Sequence, residues 1–166
     1  MSAAAATAQP TVQDALTEAR RRCASQPQVA DDCAQLLALA LAVPRTWLLT
    51  HGAQALDAAV MQRFAALLAR RLAGEPMAYL RCRQGFWTLE LDVTPDVLVP
   101  RPETELLVEL ALARMGRHGA LVDLGTGSGA IALALKSERP AWQISATDRS
   151  AAALAEIGRA SCRERV

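Results

Sequence analysis

Gly125, Gly127 and Gly129, with Asp123 ahead of them and Asp148 behind, are the residues whose types and spacing could do chemistry. They belong to LVDLGTGSGAIALAL, residues 121–135, where an apolar stretch meets an acid, a glycine-rich turn and a second apolar stretch. Glycines remove side chains where backbone must pass close to a ligand, and a helix opening there presents N–H groups. Asp148 closes the next apolar stretch, so in adjacent strands its carboxylate can accept hydrogen bonds from ribose hydroxyls. The pattern predicts a site for a ribose-bearing cofactor. The dinucleotide fingerprint G-x-G-x-x-G/A is formally met by Gly125, Gly127 and Ala130, which leaves NAD open. Asp123 would repel a pyrophosphate, however, and suits a ligand with a cationic amino group, such as S-adenosylmethionine.

The elements that must position these residues can be read from periodicity. Thr11 and Asp14 form a weak capping box, and Val12, Leu16, Ala19 and Cys23 follow at helical spacing up to Pro27. Residues 29–42 make a second helix ended by Pro44, and 45–52 a short third closed by Gly52. From Gln54 to Ala73, Leu56, Val60, Phe64, Leu67, Leu68 and Leu72 share a face, and Gly74 sits in C-cap position. Residues 11–73 therefore predict a small helical bundle, preceded by a frayed, Ala-rich leader at 1–10. FWTLELDVTPDVLVP, residues 86–100, alternates apolar and polar residues and predicts a β-hairpin turning at Thr94-Pro95-Asp96. A helix over 101–116, a strand at 120–124, a helix from about Gly129 to Glu138 and a strand at 142–148 complete the pattern. Strand–helix–strand order at this spacing predicts a parallel βαβ unit.

Composition bounds the function. The net charge of +1 offers no electrostatic case for a nucleic-acid partner. Cys23, Cys33, Cys82 and Cys162 contain no C-x-x-C pair, so neither a metal site nor a disulfide framework is expected. The N-terminus lacks the basic and apolar regions of a signal peptide, and the apolar run at 36–43 is too short to span a bilayer. A cytoplasmic protein without membrane contact is expected. His51 and His118 read as exposed polar residues rather than bases, and Arg20 to Arg22 and Arg70–Arg71 as solvated helix faces. Phe86 and Trp87 read as hairpin core.

The run Asp123-x-Gly125-x-Gly127-x-Gly129 resembles motif I of the class I S-adenosylmethionine-dependent methyltransferases. GEPMAYLRCRQGFWTLELDVTPDVLVPRPETELLVE, residues 74–109, is more distinctive. With VDLGTGSGAIALAL and ATDRSAAAL it closely resembles the bacterial release factor glutamine methyltransferases, the HemK or PrmC family. The resemblance runs from about Asp14 to Leu154 and implies a fold of three parts. These are an N-terminal α-helical bundle for substrate recognition (11–75), a β-hairpin linker (76–100) and a truncated α/β class I (Rossmann-like) methyltransferase domain (101–155). It implies N5-methylation of the glutamine in the Gly-Gly-Gln motif of class I peptide chain release factors, in translation termination. Carried over by position, Gly125, Thr126, Gly127, Ser128 and Gly129 would wrap the methionine part of S-adenosylmethionine, and Asp148 would bind its ribose. Pro100, Arg101, Pro102, Glu103, Thr104 and Glu105 would border the reaction pocket. A related enzyme that methylates a ribosomal protein has PRSP at this place, so PRPETE points to release factors. Without the resemblance, RPETE reads as an acid-rich first helical turn.

The family's catalytic Asn-Pro-Pro-Tyr does not occur in this chain, so no catalytic residue is assigned and the fragment is expected to be inactive. Residues 156–166 read as the in-frame translation of a short-read sequencing adaptor, with native sequence to about Ala155. Two parallel strands with few helices bury little surface, so low stability is expected beyond the helical bundle. An NAD-linked oxidoreductase fragment, a ribosomal-protein glutamine methyltransferase and a non-catalytic binding module are the alternatives.

Overall fold

The computed structural model describes residues 9–163, with side chains through Ile157. The expected leader at 1–10 lies outside the described residues except for Gln9 and Pro10. Of the adaptor-like segment, 164–166 lie outside them altogether, as do the side chains of 158–163. The chain divides into two compact units, one ending at Leu80 and the other beginning at Arg81.

The first unit contains helices α1 (Val12–Arg22), α2 (Pro27–Leu41), α3 (Trp47–Thr50) and α4 (Ala58–Leu72), with α5 (Met77–Arg81) at the boundary. The Thr11–Asp14 capping box is present in full: each side chain accepts the other residue's backbone N–H. Pro27 opens α2 instead of merely ending α1, because its missing N–H falls where a helix has no internal acceptor. The fourth helix starts later than its apolar pattern suggests, since Asp57 caps it by accepting the Val60 N–H at 2.7 Å. Its end is a Schellman pair around left-handed Gly74 (φ +95°), with Gly74 N–H donating to Arg71 O and Glu75 N–H to Arg70 O. Val12, Leu16, Val29, Leu36, Leu37, Leu48, Leu56, Phe64 and Leu68 are buried together. Cys23 and Cys33 are buried among them, and burial, reinforced by the Cys23 thiol, pushes the Cys33 thiol up to about 11. Such thiols are inert packing groups.

The second unit begins with an antiparallel hairpin of β1 (Arg83–Phe86) and β2 (Leu89–Asp92). Its loop is Trp87-Thr88, so the turn lies ahead of the Thr94-Pro95-Asp96 position expected from sequence. Phe86 pairs with Leu89 across a two-residue loop, and Trp87 adopts φ +57° to close it. A 3-10 turn (Pro102–Thr104) leads into α6 (Glu105–Leu112), shorter than the helix expected to Gly116. Next come β3 (Ala120–Leu124), α7 (Ala130–Glu138), β4 (Gln143–Thr147) and α8 (Ala151–Arg163). Strands β3 and β4 are parallel, with Ala120 opposite Gln143 and Leu124 opposite Thr147. The core gathers Phe86 and Leu91 from the hairpin, Val108 from α6, and Ala130, Ala134 and Leu135 from α7, with Leu121 and Ile144 against them. The alternate strand positions Val122 and Leu124 are 56% and 78% exposed, so one sheet face has no apolar cover among the described residues.

Leu37→Ala should destabilise the helical unit by about 2–5 kcal/mol, because the side chain is fully buried among other core groups. Leu49→Ala, at an exposed position of the same unit, should change stability by less than about 0.5 kcal/mol. Urea denaturation of the variants checks both values.

Candidate functional site

The parallel register brings the ends of β3 and β4 side by side, and the glycine turn leaves from one while Asp148 leaves from the other. Gly125 and Thr126 both donate their N–H to Thr147 O, at 2.8 and 3.0 Å. Asp148 completes the junction: one carboxylate oxygen accepts the Gly127 N–H and the other the Ser150 N–H, each at 2.9 Å. The Ser150 and Gly127 N–H groups, in that order, hold the Asp148 carboxyl below the usual aspartate range. A carboxylate has about four lone-pair sites, so two such bonds leave acceptor capacity for a ligand. Asp123 accepts a 2.6 Å hydrogen bond from the Thr126 hydroxyl, which sets the turn's first residues.

The three glycines of this turn differ in what they do. Gly125 (φ +74°) and Gly127 (φ +56°) have left-handed backbones, and a Cβ on either would meet no protein atom within 4 Å. The space beside them is open to a ligand. Gly129 (φ +80°) caps α7, and a Cβ there would stand 2.9 Å from Ile157 Cγ1. Its left-handed backbone is what calls for glycine there, and it does not line the cavity described next.

A cavity of about 420 Å³ lies against the turn. Gly125, Thr126, Gly127 and Ser128 line one side, continued by Ala130 and Ile131. Leu98, Val99, Pro100, Arg101 and Thr104 line the other. Among the residues singled out in PRPETE, Pro100, Arg101 and Thr104 therefore border the cavity, whereas Pro102, Glu103 and Glu105 do not. Glu105 is turned to the hairpin and accepts the Trp87 N–H at 2.8 Å. Asp148 reaches the cavity indirectly, through its bond to Gly127. Leu98, Val99 and Ile131 have no chemical signature of their own; the sequence signal for the first two was only the apolar run ending at Pro100.

For the remaining residues singled out, His51 and Arg71 depart from the expectation, while His118 and Trp87, the latter packed beside the core of Phe86, agree with it. His51 is half-buried, stacked on Trp47 at 3.8 Å between ring centroids, and its Nδ1 lies 2.9 Å from Trp47 O. Arg71 is not a solvated charge: it donates to Asp32 at 2.8 Å in a largely covered ion pair between α4 and α2. Trp87 is half-buried at the hairpin tip and donates its indole N–H to Glu138 at 2.8 Å. His118 is exposed. No metal-binding cluster and no helix long and apolar enough to cross a membrane occur among the described residues.

Comparison with known proteins follows the same division of the chain. Residues 14–81 match the PrmC N-terminal domain, and residues 102–164 match the methyltransferase small domain. A release factor glutamine methyltransferase of Burkholderia pseudomallei is 50% identical over 142 residues, covering 84% of this chain and 50% of that protein. One of Xylella fastidiosa is 53% identical over 125 residues, covering 74% of this chain and 46% of that protein. One of Vibrio cholerae is 52% identical over 118 residues, covering 70% and 41% respectively. The chain thus spans about half the length of the curated relatives it matches.

A folded-state carboxyl held below its ordinary value contributes stability above that ordinary value, and the contribution is lost as pH falls through the depressed one. Asp148→Asn should therefore lower the stability of the second unit near neutral pH, with the gap to wild type closing below about pH 4. Urea denaturation followed by NMR signals of this unit measures it; a gap constant down to pH 2 would show that charge on Asp148 is not involved.

Proposed function

Over the span it shares with those relatives, the chain belongs to the release factor glutamine methyltransferase family, and we propose that it carries the cofactor site of an S-adenosylmethionine-dependent enzyme. The substrate is the glutamine of the Gly-Gly-Gln motif in class I peptide release factors, methylated at N5 in the cytoplasm. No metal, membrane or direct nucleic-acid partner enters this reading. The observation that carries it is the pairing of Gly125 and Gly127, open toward the 420 Å³ cavity, with the Asp148 carboxylate across the strand ends. That volume is in the range of small-molecule sites.

Bound there, S-adenosylmethionine supplies an electrophilic methyl group. Gly125, Thr126, Gly127 and Ser128 would hold its methionine part by close backbone approach, and Asp148, next to the cavity through Gly127, would accept hydrogen bonds from its ribose. Leu98, Val99 and Ile131 exclude water from the apolar part of the cavity, while Arg101 and Thr104 supply polar groups on the wall opposite the turn. Asp123 disfavours a dinucleotide, whose pyrophosphate would face a carboxylate at the base of the turn. Pro100-Arg101-Pro102-Glu103-Thr104-Glu105 favours a release factor over a ribosomal protein as substrate. The family's Asn-Pro-Pro-Tyr grips the substrate amide and is absent from this sequence, so cofactor binding and methyl transfer separate in this chain.

Calorimetry should show S-adenosylmethionine binding to the chain, weakened about tenfold or more by Asp148→Ala through loss of charge-assisted hydrogen bonds. Gly127→Val should abolish binding, because a branched residue at φ +56° is strained and its side chain enters the open cradle. Unchanged affinity in both variants would refute the cradle. The 166-residue chain should transfer no labelled methyl group to a purified release factor. Transfer at a rate near that of a full-length relative would refute the separation of binding from catalysis.

A further inference from the structure

Trp87 occupies an unfavourable place for its type. It is the first residue of a two-residue hairpin loop and has φ +57°, a position where such loops ordinarily use glycine. Left-handed backbone on a bulky residue persists only where surrounding contacts hold it. Here two carboxylates do so. Glu105 Oε1 accepts the Trp87 backbone N–H at 2.8 Å, and Glu138 Oε1 accepts its indole N–H at 2.8 Å.

The two acids sit at informative places. Glu105 is the first residue of α6, directly after Thr104 of the cavity wall. Glu138 is the last residue of α7, whose first residues, Ala130 and Ile131, line the opposite side. A carboxylate at a helix C-terminus opposes the helix dipole, so Glu138 gains nothing from α7 itself and its partner is the indole. Helices α6 and α7 also share a core with the hairpin through Phe86, Leu91, Val108, Ala134 and Leu135. The hairpin tip thus ties together the two helices that carry the two cavity walls.

We propose that Glu105 is a positioning residue for the cofactor cavity: by accepting the Trp87 N–H it fixes the start of α6, and with it Arg101 and Thr104 opposite the glycine turn. The local link is the 3-10 turn, in which Thr104 N–H donates to Arg101 O at 3.0 Å. If Glu105 loses Trp87, this turn loses its anchor on the hairpin side, and the wall formed by residues 98–104 moves relative to Gly125–Ser128. The inference rests on the cofactor reading above only for its binding measurement; the anchoring itself is read without any ligand.

The test uses the full chain with Glu105→Ala, which removes the acceptor, and Glu105→Gln, which keeps an acceptor oxygen and removes the charge. Amide hydrogen exchange should show Trp87 and Thr104 protected in wild type, exposed at least tenfold more often in Glu105→Ala, and restored to within about threefold in Glu105→Gln. Helices α1, α2 and α4 should exchange equally in all three proteins. S-adenosylmethionine affinity should fall about tenfold in Glu105→Ala and recover in Glu105→Gln at a temperature where all are folded. Unprotected Trp87 and Thr104 amides in wild type, or equal protection in wild type and Glu105→Ala, overturn the proposal. A Gln variant as impaired as the Ala variant also overturns it, because charge at the helix start would then be the cause. Failure of wild type to bind S-adenosylmethionine, with the exchange pattern as expected, counts against the cofactor reading and leaves the anchor established.

Discussion

The bond from Gly127 N–H to the Asp148 carboxylate is the constraint on which the site depends. It joins a turn after one strand to the end of another, and it can form only if those strands are parallel neighbours in register. Thr147 O reinforces the junction by accepting from both Gly125 and Thr126. Backbone donors that would otherwise be orphaned in a tight turn are thus satisfied from the adjacent strand. The turn keeps its left-handed shape, and its open side is left facing the cavity rather than the protein. One acid serves structure through part of its acceptor capacity and has the rest available for a ligand.

Around that junction, residues of similar type divide their tasks. Two of the glycines leave room beside a cavity, while the third supplies the left-handed N-cap of α7. Within Arg101-Pro102-Glu103-Thr104-Glu105, alternate fates follow from one turn of 3-10 helix: Arg101 and Thr104 face the cavity, and Glu105 faces the hairpin. The hairpin is more than a connector. Its apolar residues enter the core of the second unit, and its tip meets the ends of two helices.

The helical unit obeys simpler physics. Its helices are capped locally by Thr11, Asp57 and Gly74, and their apolar faces close over one core. The Arg71–Asp32 pair fastens α4 to α2 at the edge of that core. The caps and the apolar faces come from residues near one another in sequence and are largely specified by their own segments. The Arg71–Asp32 pair, by contrast, joins residues 39 apart and forms only when the two helices meet.

Sequence by itself determined most element types, though not the short helix α5 or strand β1 ahead of Phe86. It also determined the parallel β3–β4 unit and the glycine turn with its acid, because period, capping residues and glycine spacing are local properties. It also carried the family, through PRPETE and the glycine motif, which the matches to the PrmC N-terminal and methyltransferase small domains bear out. Tertiary structure decided what local patterns leave open. The hairpin turns at Trp87-Thr88, where core burial of Phe86 and Leu91 and two distant carboxylates hold it. Thr94-Pro95-Asp96 makes a separate turn after β2, with Val97 N–H donating to Thr94 O at 3.1 Å. Gly129 caps α7 and Glu105 serves the hairpin, although each looks in sequence like its neighbours in the motif. Leu98, Val99 and Ile131 reach the cavity with no signal in their identity. A side chain's partner is fixed by which segments meet in space, and that meeting is a property of the whole fold.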